Sequence, residues 1–317
     1  MCSIPEPVML EKKPRLRNCV KCKEHMGTLS VRQTVYCTTC FQENVFHKFR
    51  GISKNVKAKV LLAFSGGPSS TALLHLAHST KQREPFHALL NEYKVCFVDQ
   101  QILGISVSGV QEKCDEYGFE LIKRKIEDSV ENFKEFYADL QEEGKFDIKR
   151  KLLENLVRKT AIESNCTHIY FGNTSTNTAG MILSQVCHGS GYSLAEIVSP
   201  CHEMQSLSVL RPLKDCSRKE IGIYNYLNQL ECIDLHLSSG KSIDKLVDDF
   251  ICGLEVGFPS TVSIIARTAK KLLAPNNEHK CDLCGYSRET SDMNLMTNVW
   301  EGRSLCYGCN LNLSRKA

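Results

Sequence analysis

Residues 59–80 read KVLLAFSGGPSSTALLHLAHST, and the punctuation inside this stretch decides the fold. The run 59–64 has the length and apolar content of a buried strand, and 69–79 has helical spacing. Between them, S-G-G-P-S-S at 65–70 supplies the glycines of a tight strand-to-helix turn. Such a turn points backbone amides at whatever sits there, and the positive end of the helix dipole adds to the attraction for a phosphate. The same turn needs glycine for backbone reasons alone, so the loop by itself leaves both uses open. It is not a Walker loop. SSGKS at 238–242 ends like one, but Leu235 stands where the first glycine is needed.

Outward from this loop, further strands are expected at 93–99, 119–125, 168–172 and 206–213. Helices are expected at 104–117, 148–164, 174–187, 217–230 and 241–273, the last broken where Pro259 follows Phe258. Strands alternating with helices predict an α/β fold, a parallel sheet covered on both faces.

The 317 residues suffice for one large domain with appendages, or for two domains. With 42% hydrophobic and 24% charged residues, the composition is that of a soluble protein. No apolar run approaches the ~20 residues of a membrane helix, so no membrane partner is expected. The first residues lack the apolar core of a secretory signal and read as a polar tail on a cytosolic or nuclear protein.

Eight of the 17 cysteines form four C-x-x-C pairs: Cys19/Cys22, Cys37/Cys40, Cys281/Cys284 and Cys306/Cys309. A disulfide framework is a poor fit, since the total is odd and no secretion signal accompanies it. Fourteen residues separate Cys22 from Cys37 and 21 separate Cys284 from Cys306, spacings that suit two zinc ribbons and two zinc ions. An iron–sulfur cluster takes the same ligands, but two separate paired modules fit zinc better. His25 and His47 read as surface residues, since the cysteines already fill both ligand sets. Of the single cysteines, Cys96, Cys166 and Cys187 lie in apolar runs and read as packing residues.

The organisation read from composition is a polar tail at 1–14, a zinc-ribbon module at 15–50, an α/β domain at 51–275 and a second zinc-ribbon module at 276–317. Residues 1–60 hold twelve Lys and Arg against four Glu, although the whole chain carries only +4. A basic appendage on a mildly acidic body suits a polyanion such as RNA; a solvated charged surface is the plainer alternative. Lys21, Lys23, Arg32, Lys48 and Arg50 are the candidate RNA contacts. Tyr36, Phe41, Phe46 and His47 could stack on bases, while Phe46 and Phe49 could equally be core.

S-G-G-P-S-S resembles the S-G-G-x-D-S signature of the PP-loop ATP pyrophosphatases, a Rossmann-like fold whose members adenylate a carbonyl oxygen. Ser65, Gly66, Gly67 and Ser70 match, and Ser69 stands in place of the Asp. Asp99 ends the second strand as the VDEG motif does in the tRNA-thiolating branch, and RPLKDCSRKEIGIYNYL (211–227) resembles that branch's R-P-L…E-I…Y segment, with Glu220 in place. CVKCKE, FHKFR (46–50), VLLAFSGGPSS and FPSTV extend the resemblance, from about Cys19 to Cys309, to the cytosolic tRNA 2-thiolation protein 2 family.

That resemblance implies a cytoplasmic, non-catalytic partner of a catalytic thiouridylase paralogue. The pair would modify the wobble uridine, U34, of tRNAs for Lys, Glu and Gln. ATP would adenylate its 2-oxygen, and sulfur from a thiocarboxylated ubiquitin-related modifier would replace it. Four features of active relatives are missing. The loop Asp is Ser69; Thr176 and Asn177 of GNTSTN (172–177) replace two carboxylates; KFDIKRK (145–151) replaces a C-x-x-C; and Cys201 and Cys216 lie off the position of a last cysteine. A hydroxyl cannot supply the charge that a carboxylate gives Mg²⁺. No catalytic residue is therefore assigned. Ser65, Gly66, Gly67, Ser69, Ser70 and Asp99 form a degenerate phosphate loop, with ATP held by the partner or as residual binding. The rivals are an autonomous ATP-dependent tRNA sulfurtransferase and a zinc-ribbon interaction module unrelated to tRNA.

Overall fold

The computed structural model describes residues 17–53, 58–83, 92–105, 107–198, 201–204, 207–233, 242–269, 271–272, 279–289 and 304–313. The polar tail, most of SSGKS and residues 290–303 of the second module lie outside the described residues. The chain divides into two compact units, Met1–Asn44 and Val45–Ala317. Helix Thr38–Ser53 is continuous through this division, and through residue 50 as well.

In the first unit, β1 (Leu29–Val31) and β2 (Thr34–Tyr36) form an antiparallel hairpin. Its two-residue turn puts Arg32 and Gln33 at φ 46° and 67°, the left-handed pair that suits the twist of a hairpin.

The second unit is built on a six-stranded sheet in the order β5-β4-β3-β6-β8-β7. These strands are β3 (Lys59–Phe64), β4 (Glu92–Asp99), β5 (Glu120–Lys125), β6 (His168–Tyr170), β7 (Cys201–Met204) and β8 (Leu207–Leu210). All pair in parallel except β7, which runs antiparallel to β8 at the edge. Leu61 of β3 packs with Cys96, Val98, Ile169 and Val209 against Ile148, Leu152 and Leu156 of helix Lys145–Glu163. Leu62, next along the strand, points to the opposite face and is equally buried. Helices Pro68–Arg83 and Arg218–Leu227 pack together, with His75 Nδ1 2.9 Å from the Tyr224 hydroxyl. Helices Ser175–Cys187, Ile243–Gly257 and Pro259–Ala269 share a smaller core of Ala179, Ile251 and Val262.

The expected strands are present, though β6 and β8 end earlier than their apolar runs. The helix expected over 104–117 is confined to Val110–Glu116. Gly104 and Gly109, at φ 75° and 80°, leave the helical region before it. The long C-terminal helix divides at Phe258 and Pro259, as expected. Strand β7 and the short helices Phe133–Ala138 and Leu194–Val198 were not expected; each has too few residues for a period to show. No helix among the described residues is long and apolar enough to cross a membrane.

Candidate phosphate-loop crevice and metal centres

The strand order reverses between β3 and β6, and the crevice beyond the carboxyl ends of those strands is where open α/β sheets bind ligands. Residues 65–70 leave β3 there and 171–174 leave β6. They meet closely: a Cβ on Gly172 would stand 3.1 Å from the Ser69 carbonyl. Gly66 takes φ 85°, and Pro68 opens the following helix, where its missing amide costs nothing. The Ser70 hydroxyl donates to the Gly67 carbonyl (2.9 Å) and accepts from the Ser65 amide (3.3 Å), so the loop is braced internally. Asp99 ends the neighbouring strand β4, two residues past Phe97, the register partner of Phe64. Its Oδ1 accepts from the Gln101 amide at 2.9 Å, and the residue lines a separate cleft of about 710 Å³ with Lys125 and Glu127.

Several of the chain's own residues reach into the crevice. The Ile233 amide donates to the Gly66 carbonyl at 3.0 Å, and the Ile233 side chain covers Gly66, within 3.0 Å of where a Cβ would stand. The Asn225 amide donates to the Pro68 carbonyl at 2.9 Å. On the β6 side, Thr174 caps helix Ser175–Cys187 by accepting from the Asn177 amide. Thr176 is fully buried. Its hydroxyl donates to Glu255 Oε2 at 3.0 Å and accepts from the Arg218 amide at 3.0 Å. The Arg218 guanidinium forks onto Asp248 at 2.6 and 3.0 Å and reaches Cys252 Sγ at 3.2 Å. Thr176 and Arg218 thereby anchor helix Ile243–Gly257.

Glu220 is buried in the capping box of helix Arg218–Leu227: Oε2 accepts from the Ser217 amide at 2.6 Å, and Oε1 takes the Lys48 ammonium at 2.5 Å. Lys48 therefore has a carboxylate partner within the fold. Phe41 and Phe46 are buried and present no face for bases, and the Arg83 guanidinium lies 4.6 Å over the Phe46 ring. Phe49 is core as well. Lys21, Lys23 and Arg32 are exposed, while Arg50 is half-buried.

The eight paired cysteines gather as two clusters of four, each with its sulfur atoms within 4.8 Å of one another. Four sulfurs about 2.3 Å from a common metal stand about 3.8 Å apart, and Cys22–Cys37 and Cys284–Cys306 are both 3.9 Å apart. The donor sets therefore fit a tetrahedral zinc ion. Both modules share one plan: a left-handed residue, Lys23 or Gly285, follows the first C-x-x-C, and the second pair lies at the start of a helix. His25 Nδ1 lies 3.5 Å from Cys22 Sγ. Hydrogen bonding from His25 holds the Cys22 thiol down to about 6, toward the thiolate a metal requires.

The C-terminal cluster is buried and shares a core with Leu140, Leu152 and Leu156. Helix Lys145–Glu163 faces it. Asn155 donates to the Leu283 carbonyl (3.0 Å), and Arg158 donates to the Cys284 carbonyl (3.2 Å) and the Tyr286 hydroxyl (2.8 Å). Cys96 and Cys166 are buried, as expected of packing residues, but Cys187 is exposed at the outer end of its helix.

A third buried group, Asp147, His188 and Asp244, escaped sequence reading because its members lie on three separate elements. Burial pushes the Asp147 carboxyl up, but Lys151 and Arg150 outweigh it and hold it down to about 2. Asp244 Oδ2 lies 3.0 Å from His188 Nε2.

The PP-loop domain family matches residues 40–234, more than half the chain, across both sides of the crevice. The chain belongs to the PP-loop family. The family described as cytoplasmic tRNA 2-thiolation protein 2 matches residues 242–301, which begin at the helix anchored on Thr176. Curated relatives of that name align over nearly the whole chain. One from Aedes aegypti is 26% identical, covering 86% of this chain and 69% of the relative. One from Drosophila melanogaster is 28% identical over 88% and 78%, and one from Schizosaccharomyces pombe is 23% identical over 93% and 92%. These relatives carry the name of the branch that the motifs resemble. The U34-tRNA thiolase NcsA from Methanococcus maripaludis, solved with its [4Fe-4S] cluster, superposes with TM-score 0.70. At 19% identity over 93% of this PP-loop protein and 97% of that chain, the likeness concerns the fold.

Proposed function

We propose that this PP-loop protein is the non-catalytic subunit of a heterodimeric, cytoplasmic tRNA thiolation complex. Its active paralogue adenylates the 2-oxygen of U34 in tRNAs for Lys, Glu and Gln and accepts sulfur from a thiocarboxylated ubiquitin-related modifier. This chain contributes tRNA contact through Lys21, Lys23 and Arg32, and two zinc-stabilised modules. The role in tRNA 2-thiolation is supported by the family match and by the relatives' names.

The observation that carries the non-catalytic reading is the self-occupied crevice. Ile233 covers the turn glycine, and a threonine bound to Glu255 stands where a metal-binding carboxylate is expected. ATP phosphates and Mg²⁺ need that space and that charge. The test is adenylate formation by the purified chain with ATP and unmodified tRNA. No turnover is expected until the paralogue is added; turnover by the chain alone overturns the reading in favour of an autonomous sulfurtransferase. Cells lacking the protein are expected to lose thiolated U34, read as lost retardation of tRNA on a mercury-containing gel. Full thiolation in those cells favours an interaction module unrelated to tRNA.

A further inference from the structure

Both cysteine clusters fit zinc, but their surroundings differ. Four thiolates and one divalent cation carry a net charge of −2, costly to bury unless compensated. Cys22 and Cys40 of the first cluster are partly open to water, whereas Cys281, Cys284, Cys306 and Cys309 are all buried. Water screens the first centre, and protein must neutralise the second.

Helix Lys145–Glu163 supplies the compensation. It carries Arg150, Lys151 and Arg158 against Asp147 and Glu154, one positive charge more than its own ion pairs consume. Lys151 is a fully buried lysine whose ammonium reaches Asp147 at 2.6 Å and the Ser190 hydroxyl at 3.1 Å. Ser190 lies against the cysteine-bearing helix Tyr307–Leu311: a Cβ on Gly308 would stand 2.0 Å from its Oγ, so only glycine fits there. Arg158, two turns further along the same face, is bonded to the Cys284 carbonyl.

We propose that Lys151 is the positioning counter-charge of a permanent, buried metal centre at Cys281, Cys284, Cys306 and Cys309, and that the exposed centre at Cys19, Cys22, Cys37 and Cys40 is the exchangeable one. The inference rests on the reading that both clusters hold zinc.

The experiment measures zinc content and then chelator-driven zinc release from the full-length chain with a metallochromic dye. Two ions per chain are expected, leaving in two phases of one ion each. Cys19→Ser/Cys22→Ser removes the fast phase. Lys151→Met, close in shape and uncharged, speeds the slow phase at least about tenfold without changing the fast one, and Lys151→Arg largely preserves it. The double variant Asp147→Asn/Lys151→Met deletes both members of the ion pair. If Lys151 serves only Asp147, this variant restores slow release and overturns the proposal; continued fast release supports it. Fewer than two ions at the outset overturns the metal reading itself, and two ions leaving in a single phase overturn this inference alone.

Discussion

Replacing Thr176 with Asp restores the residue type expected at an active PP-loop crevice, and the surrounding geometry opposes it. The threonine hydroxyl donates to Glu255 and accepts from the Arg218 amide, each at 3.0 Å. An ionised Asp keeps the acceptor role but has nothing to donate. The lost bond to a charged acceptor is worth about 1.5–3 kcal/mol. Two carboxylates about 4 Å apart repel by about 4 kcal/mol at an effective dielectric of about 20. The Arg218 guanidinium lies nearby and recovers part of this, which leaves a net cost of about 3–5 kcal/mol. The weaker contact yields first, so helix Ile243–Gly257 is expected to lift rather than the sheet to unfold. Amide hydrogen exchange checks this: protection over 243–257 falls in Thr176→Asp, stays near wild type in Thr176→Asn, which can still donate, and recovers in Thr176→Asp/Glu255→Gln. An unchanged exchange pattern in Thr176→Asp would refute the reasoning, because the helix would then not depend on that hydroxyl.

Three further outcomes follow from the same geometry. Glu220→Gln removes the charge that Lys48 and the Ser217 amide share, so the denaturant midpoint should fall by the equivalent of about 1–2 kcal/mol; an unchanged midpoint means that Glu220 anchors nothing. Asp147 is depressed to about 2 in the fold, so its stabilisation is fully present above about pH 4 and is lost as the pH falls toward 2. The wild type should therefore lose about 2 kcal/mol more than Asp147→Asn across that window in acid titrations of stability, and parallel profiles refute the assignment. Lys21→Glu/Lys23→Glu should weaken tRNA binding and flatten its salt dependence by about 0.7–0.9 for each phosphate no longer neutralised, as read by filter binding at several salt concentrations.

The loop and the centre of the sheet were legible because their signals are local. A six-residue apolar strand, a glycine turn and a helical period are short-range patterns, and paired cysteines at metal-ligand spacing are nearly self-explanatory. The edge strand β7 was not legible, because Cys-His-Glu-Met carries neither apolar alternation nor β-branching. The ion pair of Lys48 was not legible because its partner, Glu220, lies 172 residues away, and a basic residue in a basic stretch looks solvent-exposed until the fold supplies a carboxylate. The buried charges around Lys151 were invisible for a similar reason: KFDIKRK drew notice only for lacking a C-x-x-C, yet it carries the ion pairs of Asp147 with Arg150 and Lys151.

The losses at the crevice are physically coupled rather than independent. A carboxylate at position 176 and a glutamate at position 255 cannot share the space that one hydroxyl bridges, so the docked helix and the missing metal ligand exclude each other's alternatives. The loop glycine behaves likewise: phosphate oxygens and the Ile233 side chain compete for the same side of Gly66. Reintroducing acidic residues alone, as in Ser69→Asp/Thr176→Asp, should therefore yield no adenylation. The chain regains charge at the crevice without regaining the volume, and its own helix bears the electrostatic penalty. Only variants that also remove the Ile233 and Glu255 side chains open a space in which ATP could be tested. If the two-residue restoration by itself produced adenylate, the Ile233 and Glu255 side chains would not be obstacles to ATP.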